Sequence, residues 1–294
     1  MASKIKAIRF WLKVVAAILA LLLGATYGVI VSVILTLARK NNLAQWSTAR
    51  FFYHLFSKLF NIKIVIDHPE RLEKLPGILI SNHQSELDIF MLGRVFPKKC
   101  VVTAKKQLKY VPFLGWFMSL SGTFFLDRSN REKALSTLHR ALEELKSSEG
   151  GLFMFPEGTR SYATDPKLLP FKKGAFHLAV QAQIPIIPIA VSNTSTVYSP
   201  KTKTFSGGVI NIKVLEPIST EGLTKEDVPH LVEKVQKQMD QAIQELGFSE
   251  TTDGIIEAPL SPEVEIGTSV EPETETDANE ETTLLAHLAK DSGN

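Results

Sequence analysis

Two short stretches hold residue types suited to moving a proton beside a phosphate. The first, Ser81-Asn82-His83-Gln84-Ser85-Glu86-Leu87-Asp88, offers a histidine with a carboxylate five residues on. The second, Phe155-Pro156-Glu157-Gly158-Thr159-Arg160, offers an arginine just past a glycine turn. Each follows an apolar run. Five residues along a regular helix is a rotation of about 140°, so His83 and Asp88 would share no helical face. They meet only if the backbone turns between them. The apolar run ending at Ser81 reads as a strand, and residues 87–92 read as the start of a helix. His83 then falls on the connecting turn, at the strand end where open α/β sheets bind ligands. An imidazole held at one nitrogen by a carboxylate is a suitable general base near neutral pH. Ser85-x-x-Asp88 also reads as a capping box, in which Asp88 serves the helix end instead.

In the second stretch, Gly158 permits a tight turn and Arg160 carries a planar fork suited to phosphate oxygens. Glu157 is placed to orient Arg160 or a substrate hydroxyl. Read alone, the stretch is also compatible with a plain turn and an exposed arginine. A third run, residues 122–128, ends in Arg128, a second phosphate candidate whose alternative partner is Asp127 or Glu132. Lys105 and Lys106 follow another apolar run and could add positive charge. In a fourth run, residues 184–193, Pro185 reads as a strand entry and Pro188 as an irregularity shaping a pocket wall. Asn193-Thr194-Ser195 is a glycosylation triplet, relevant only to a lumenal domain. No Gly-x-Ser-x-Gly elbow, phosphate loop, His-Glu-x-x-His motif or cysteine pair is present. Cys100 is the single cysteine and reads as a core residue, so no intrachain disulfide forms and no metal site is expected.

The elements that must position these groups alternate. Apolar runs at 62–66, 77–81, 100–104, 122–126, 151–155, 186–192 and 209–215 read as strands. Helical patterns lie between several of them. One covers 131–148, opening on a Ser129-x-x-Glu132 capping box; weaker ones cover 171–183 and 225–246. This order predicts an α/β domain over residues 62–247, with a mixed, mostly parallel sheet flanked by helices.

Residues 1–61 read as a membrane anchor. Val14 to Ala38 is 25 residues without a formal charge. As a helix it would reach roughly 37 Å, enough for a hydrocarbon core of about 30 Å. Residues 44–60 mix aromatic and basic side chains, as an amphipathic helix at a lipid interface does. A core helix is the other reading of that mix. The two helices either span the membrane or form a hairpin dipping into one leaflet. Residues 248–294 read as an acidic disordered tail, rich in Glu, Thr, Ser and Pro. From Glu250 onward there are 12 acidic residues and one basic one, leaving 32 basic and 19 acidic before it. A basic body beside an acidic tail suits anionic partners such as phosphorylated substrates or an anionic membrane face.

With its blocks taken in order, the chain resembles the glycerolipid acyltransferases, specifically the 1-acylglycerol-3-phosphate acyltransferases. The matching motifs are Asn82-His83-x4-Asp88, the strand from Phe124 to Arg128, Pro156-Glu157-Gly158-Thr159-Arg160, and the proline-bearing strand from Ile184 to Val191. The resemblance implies transfer of a fatty acyl group from acyl-CoA to the sn-2 hydroxyl of lysophosphatidic acid, giving phosphatidic acid. His83, oriented by Asp88, would be the base. Arg160 and Arg128, with Lys105, would hold the phosphate, and Glu157, Gly158 and Thr159 would shape that site. It implies no cofactor and no metal, with acyl-CoA as co-substrate. The implied partners are lysophosphatidic acid, acyl-CoA and a phospholipid membrane, without nucleic acid. The implied location is the endoplasmic reticulum membrane, with lipid droplets as a second site. Alternatives are a related enzyme using glycerol-3-phosphate or another lysophospholipid, and a non-catalytic lipid-binding membrane adaptor.

Overall fold

The computed structural model describes residues 2–126, 137, 141, 147 and 149–252. The chain opens with helices α1 (Ala2–Leu37) and α2 (Ala44–Phe60). Then come β1 (Ile62–Asp67), β2 (Gly77–Ser81), α3 (Asp88–Val95), β3 (Cys100–Lys105), α4 (Leu114–Leu120) and β4 (Phe124–Leu126). After them follow β5 (Gly151–Met154), α5 (Gly174–Ala182) and β6 (Ile186–Val191). The hairpin β7 (Tyr198–Ser199) and β8 (Thr204–Phe205), β9 (Gly208–Val214), α6 (Val228–Leu246) and β10 (Glu250–Thr251) complete it. Of the helix read over 131–148, only 137, 141 and 147 are described, and all three are helical. Its capping box and Arg128 lie outside the described residues.

The main sheet runs β1-β9-β6-β2-β5-β3-β4, with β10 added to β9. The five strands from β6 to β4 are parallel. Strand β9 runs against β6, β1 lies parallel to β9, and β10 lies antiparallel to it. The sheet is mixed and mostly parallel, as its sequence pattern implies. The parallel block brings the carboxyl ends of β6, β2, β5, β3 and β4 to one edge.

Helices cover both faces. Successive strand residues point to opposite sides. Ile78 and Ile80 of β2 therefore join Phe176 of α5 and Val235 of α6. Leu79 between them joins Phe56 of α2 and Phe90 of α3. Burial on both faces explains why every residue of β2 and β6 is buried and why these strands read as continuous apolar runs. Each fully buried side chain such as Phe90, Phe153 or Phe176 stabilises the fold by about 1.5–3 kcal/mol relative to exposure. In α6 the buried residues Val228, Leu231, Val235, Met239 and Ala242 follow the helical period. Thr224 and Asp227 form a capping box just ahead of it.

Four details decide between, correct or add to the sequence readings. The aromatic face of α2 turns into the protein: Phe52, Phe56 and Phe60 are buried in the same cluster as Phe90 and Phe205. Arg50 on α2 caps α3, donating from Nη1 to the carbonyls of Gly93 and Arg94 at 2.6 Å each. Pro185 does precede β6, but Pro188 lies within the sheet opposite Ile80. Its carbonyl accepts from Leu215 N–H at 2.9 Å, and it lines no part of the cavity described below. Order continues past Gly247, because Glu250 and Thr251 pair with β9.

Helix α1 is long enough to cross a membrane, yet it is fastened along its length. Phe10 stacks on Tyr198, and Lys13 Nζ donates to the Phe205 carbonyl at 2.7 Å. Farther on, Tyr27 stacks on Phe51 and Gly28 lies against Phe117 and Thr48. Its other side leaves Ile8, Leu12, Leu19, Leu23, Ile30 and Ile34 exposed. Helix α4, which the sequence pattern does not signal, packs beside α1, and the short 3-10 turn Lys106–Tyr110 before it packs against α4.

Candidate active site

The turn after β2 is built around one carboxylate oxygen. Asp88 Oδ2 accepts from Gln84 N–H at 2.6 Å, from Ser85 N–H at 3.1 Å and lies 2.7 Å from His83 Nδ1. Ser85 Oγ in turn accepts from Leu87 N–H at 3.2 Å. Asp88 thus forms one arm of the capping box, through Ser85 N–H, and also contacts the imidazole, while the Ser85 hydroxyl serves Leu87 N–H and, among the described residues, no side chain caps the start of α3. The backbone bonds hold the turn, and the turn brings the imidazole to the carboxylate. Asp88 is buried, whereas the His83 side chain is 19% exposed. In a neutral imidazole, a carboxylate at Nδ1 favours the tautomer that carries its hydrogen there, which makes Nε2 the acceptor. Phe155 stacks on the ring, with centroids 4.1 Å apart and planes 16° apart, which fixes its rotation.

The second turn is tied to the first. Glu157 is buried, and its oxygens accept from His83 N–H at 2.7 Å and Leu169 N–H at 3.1 Å. Burial pushes its carboxyl up to about 7, against the pull of those two N–H groups and with a smaller push from the Asp88 charge. The expected role of orienting Arg160 is filled instead by Glu86, whose Oε1 lies 2.8 Å from Arg160 Nη1. Gly158 takes a φ of 71° and its N–H closes on the Phe155 carbonyl at 3.1 Å. A Cβ there would come within 2.8 Å of the Lys172 side chain. Ser161 N–H and Tyr162 N–H donate to the carbonyls of His83 and Gln84 at 2.9 and 3.0 Å, lacing the turns together.

Strand β6 supports both. The Asn82 amide donates to Val191 O at 3.0 Å and accepts from Val191 N–H at 2.9 Å, as a ladder partner would. Gln84 bridges Ser192 O and Thr194 N–H. Asn193 is buried and donates to the carbonyls of Ala163 and Asp165. That amide is structural and closed to a glycan.

A cavity of about 560 Å³ opens above this edge. Its lining includes His83, Lys105, Gly158, Thr159, Arg160 and Tyr162. It also includes apolar side chains such as Leu21 and Ala25 of α1, Phe52 of α2, and Leu114, Phe117 and Met118 of α4. Five of the eight residues singled out from the sequence thus share one cavity. Asp88 and Glu157 stand behind it as supports, and Arg128 is outside the described residues. Among the described residues no cluster of metal-binding side chains occurs. Cys100 is buried, and burial raises its thiol well above the usual range, so it stays neutral. Sequence reasoning missed the roles of Gln84, Glu86 and Tyr162, none of which carries a local signal.

A histidine–carboxylate pair beside a cavity lined by both cationic and apolar side chains is suited to acyl transfer between amphipathic substrates. Comparison with known proteins gives the class first: residues 63–192 match the family described as Acyltransferase. A 1-acyl-sn-glycerol-3-phosphate acyltransferase of Saccharomyces cerevisiae is 54% identical over 240 residues, covering 82% of this chain and 79% of its own. The human 1-acyl-sn-glycerol-3-phosphate acyltransferase beta is 40% identical over 190 residues, covering 64% of this chain and 68% of its own. The crystal structure of the lysophosphatidic acid acyltransferase from Thermotoga maritima superposes with a TM-score of 0.61 at 24% identity. That match covers 82% of this chain and 96% of the other, which shows a shared fold. The chain belongs to the 1-acyl-sn-glycerol-3-phosphate acyltransferase family and is an O-acyltransferase.

Proposed function

We propose that the protein transfers a fatty acyl group from acyl-CoA to the sn-2 hydroxyl of 1-acyl-sn-glycerol-3-phosphate, forming phosphatidic acid and free CoA. The observation that carries this reading is the His83–Asp88 pair, at 2.7 Å, facing a cavity that Arg160 and Lys105 also line. His83 Nε2 takes the hydroxyl proton as the oxygen attacks the thioester carbonyl. The imidazolium that forms is stabilised by Asp88. Collapse of the tetrahedral adduct breaks the carbon–sulfur bond, and the imidazolium returns the proton to the CoA thiolate. No covalent enzyme intermediate, metal or cofactor enters this sequence.

Arg160 and Lys105 would hold the acceptor phosphate, with Arg128 as a third cation by family resemblance. Gly158 and Thr159 form the adjoining wall. Holding the hydroxyl and thioester in attack geometry supplies several kcal/mol of the barrier reduction, by analogy with intramolecular reactions. The apolar part of the cavity takes an acyl chain.

The exposed apolar side of α1 supports a place at the bilayer, since contiguous patches of that size are rare on soluble monomers. Tyr110, Phe113 and Trp116, on or just ahead of α4, are exposed as well. Phe10 and Gly28 both contact the α/β unit across about 27 Å of helix rise, which leaves little of α1 free to cross a bilayer. We place α1 along the surface of one leaflet, with the cavity opening toward the lipid. The endoplasmic reticulum is the membrane this reading assigns.

The test is a panel of acceptors offered to purified protein with acyl-CoA. Lysophosphatidic acid should be strongly preferred over glycerol-3-phosphate and over lysophospholipids whose phosphate is a diester. Equal or better use of a diester acceptor would remove the role given to Arg160. Lipid binding without any acyl transfer would favour the adaptor reading.

A further inference from the structure

Arg160 faces the cavity from a loop, where a long side chain would keep much of its rotamer freedom. Its guanidinium is held from the outer side. Nη1 donates to Glu86 Oε1 at 2.8 Å and lies 3.4 Å from Tyr162 Oη. Tyr162 Oη donates to the same Glu86 oxygen at 2.6 Å. Among the described residues every hydrogen bond of this guanidinium leaves from Nη1, and Glu86 is not part of the cavity lining. The chain is arranged for this contact. Tyr162 adopts a φ of 46°, a left-handed conformation that is unfavourable for a bulky residue. Glu86 rides on the same turn as His83, so the brace and the base move as one piece.

Stability does not explain the arrangement. The two side chains are 36% and 45% exposed, and ion pairs at that exposure add little to folding. Pre-ordering does explain it. We propose that Glu86 is a positioning residue for the acceptor's phosphate site: its carboxylate braces Nη1 of Arg160 and leaves the opposite edge of the fork, Nε and Nη2, to the phosphate. This rests on the reading of Arg160 as a phosphate ligand. The bonding partner it implies is a phosphate group, two of whose oxygens match a two-nitrogen edge.

The alternative chemistry has the opposite sign. A carboxylate that merely occupied Arg160 would compete with phosphate, and its removal would tighten binding. Steady-state kinetics with lysophosphatidic acid and acyl-CoA separates the two. Glu86→Ala should raise the acceptor KM about 3–10-fold, the scale of ordering one long side chain on binding, with a smaller effect on kcat and none on the acyl-CoA KM. Glu86→Gln retains an oxygen for Nη1 and Tyr162 Oη and should bring the acceptor KM most of the way back. In an Arg160→Ala background, Glu86→Ala should add no further rise. An unchanged or lowered acceptor KM in Glu86→Ala overturns the proposal. So does a rise of the same size in the Arg160→Ala background, since Glu86 would then act elsewhere. If Arg160→Ala alone leaves the acceptor KM untouched, the phosphate-ligand reading itself fails, whatever Glu86 does. Thermal unfolding of each variant confirms that the comparison is between folded proteins.

Discussion

Replacing Asp88 with asparagine removes one negative charge from the turn while leaving an oxygen for the backbone. In the wild-type protein Oδ2 serves Gln84 N–H, Ser85 N–H and His83 Nδ1 together. An amide oxygen in the same place keeps those bonds, so the turn survives and the cost to stability is confined to about 1–2 kcal/mol. The imidazolium formed during acyl transfer is a different matter. With 2.7 Å between Nδ1 and Oδ2, the charge centres of ring and carboxylate lie about 4 Å apart. Two unit charges at that separation attract by about 4 kcal/mol at an effective dielectric of 20. Losing all of it would slow the reaction by about three powers of ten. The amide dipole retains part, so kcat should fall about 10²–10³-fold. The acyl-CoA and acceptor KM values should change little, because the charge acts on a species that forms only during reaction. The assay is phosphatidic acid formation under saturating substrates, with thermal unfolding run in parallel. A folded Asp88→Asn protein that keeps more than about a third of wild-type kcat would refute the reasoning, since no cation could then be forming beside that carboxylate.

Other perturbations test the supports. Glu157 has its carboxyl pushed up from 4.5 to about 7 by burial, so the folded state holds that proton more tightly than the unfolded chain. Its contribution to stability is complete below about 4.5 and is lost as pH rises toward about 7; Glu157→Gln should therefore flatten the fall of Tm between pH 5 and 7.5, and an unchanged slope would contradict this. At Gly93 an added Cβ would meet the Ala49 carbonyl oxygen at 2.6 Å, so Gly93→Ala should pry α3 from α2 and cost about 1–3 kcal/mol by thermal or denaturant unfolding. Ala25 lines the apolar part of the cavity, and Ala25→Phe should shift the donor preference toward shorter acyl chains in a panel of acyl-CoAs.

The parts of the site that could be read in the sequence are those whose partners are close along the chain. His83 and Asp88 are five residues apart, and the strand-to-helix change between them dictates a turn. The carboxyl-edge placement of Lys105 and Arg160 follows from apolar runs that end just before them. Strands β2 and β6 were legible because burial on both faces makes them continuously apolar. The remainder depends on long-range contacts. Glu86 and Arg160 are 74 residues apart, and nothing local to either announces the other. The sequence places Glu157 to orient Arg160 or a substrate hydroxyl, whereas its neighbours bury it and take both oxygens for backbone. The aromatic face of α2 suits lipid and protein equally by composition, and only the position of α3 and β8 decides between them. Likewise the insertion of β9 between β1 and β6, antiparallel to one and parallel to the other, leaves no trace in the period of its own residues.

The most direct measurement is phosphatidic acid formation from lysophosphatidic acid and acyl-CoA by purified protein, wild type against His83→Ala. Loss of the base should remove at least about 10²-fold of the turnover while the variant still binds acyl-CoA and unfolds at a similar temperature. Near-normal turnover by that folded variant would contradict the account at its root.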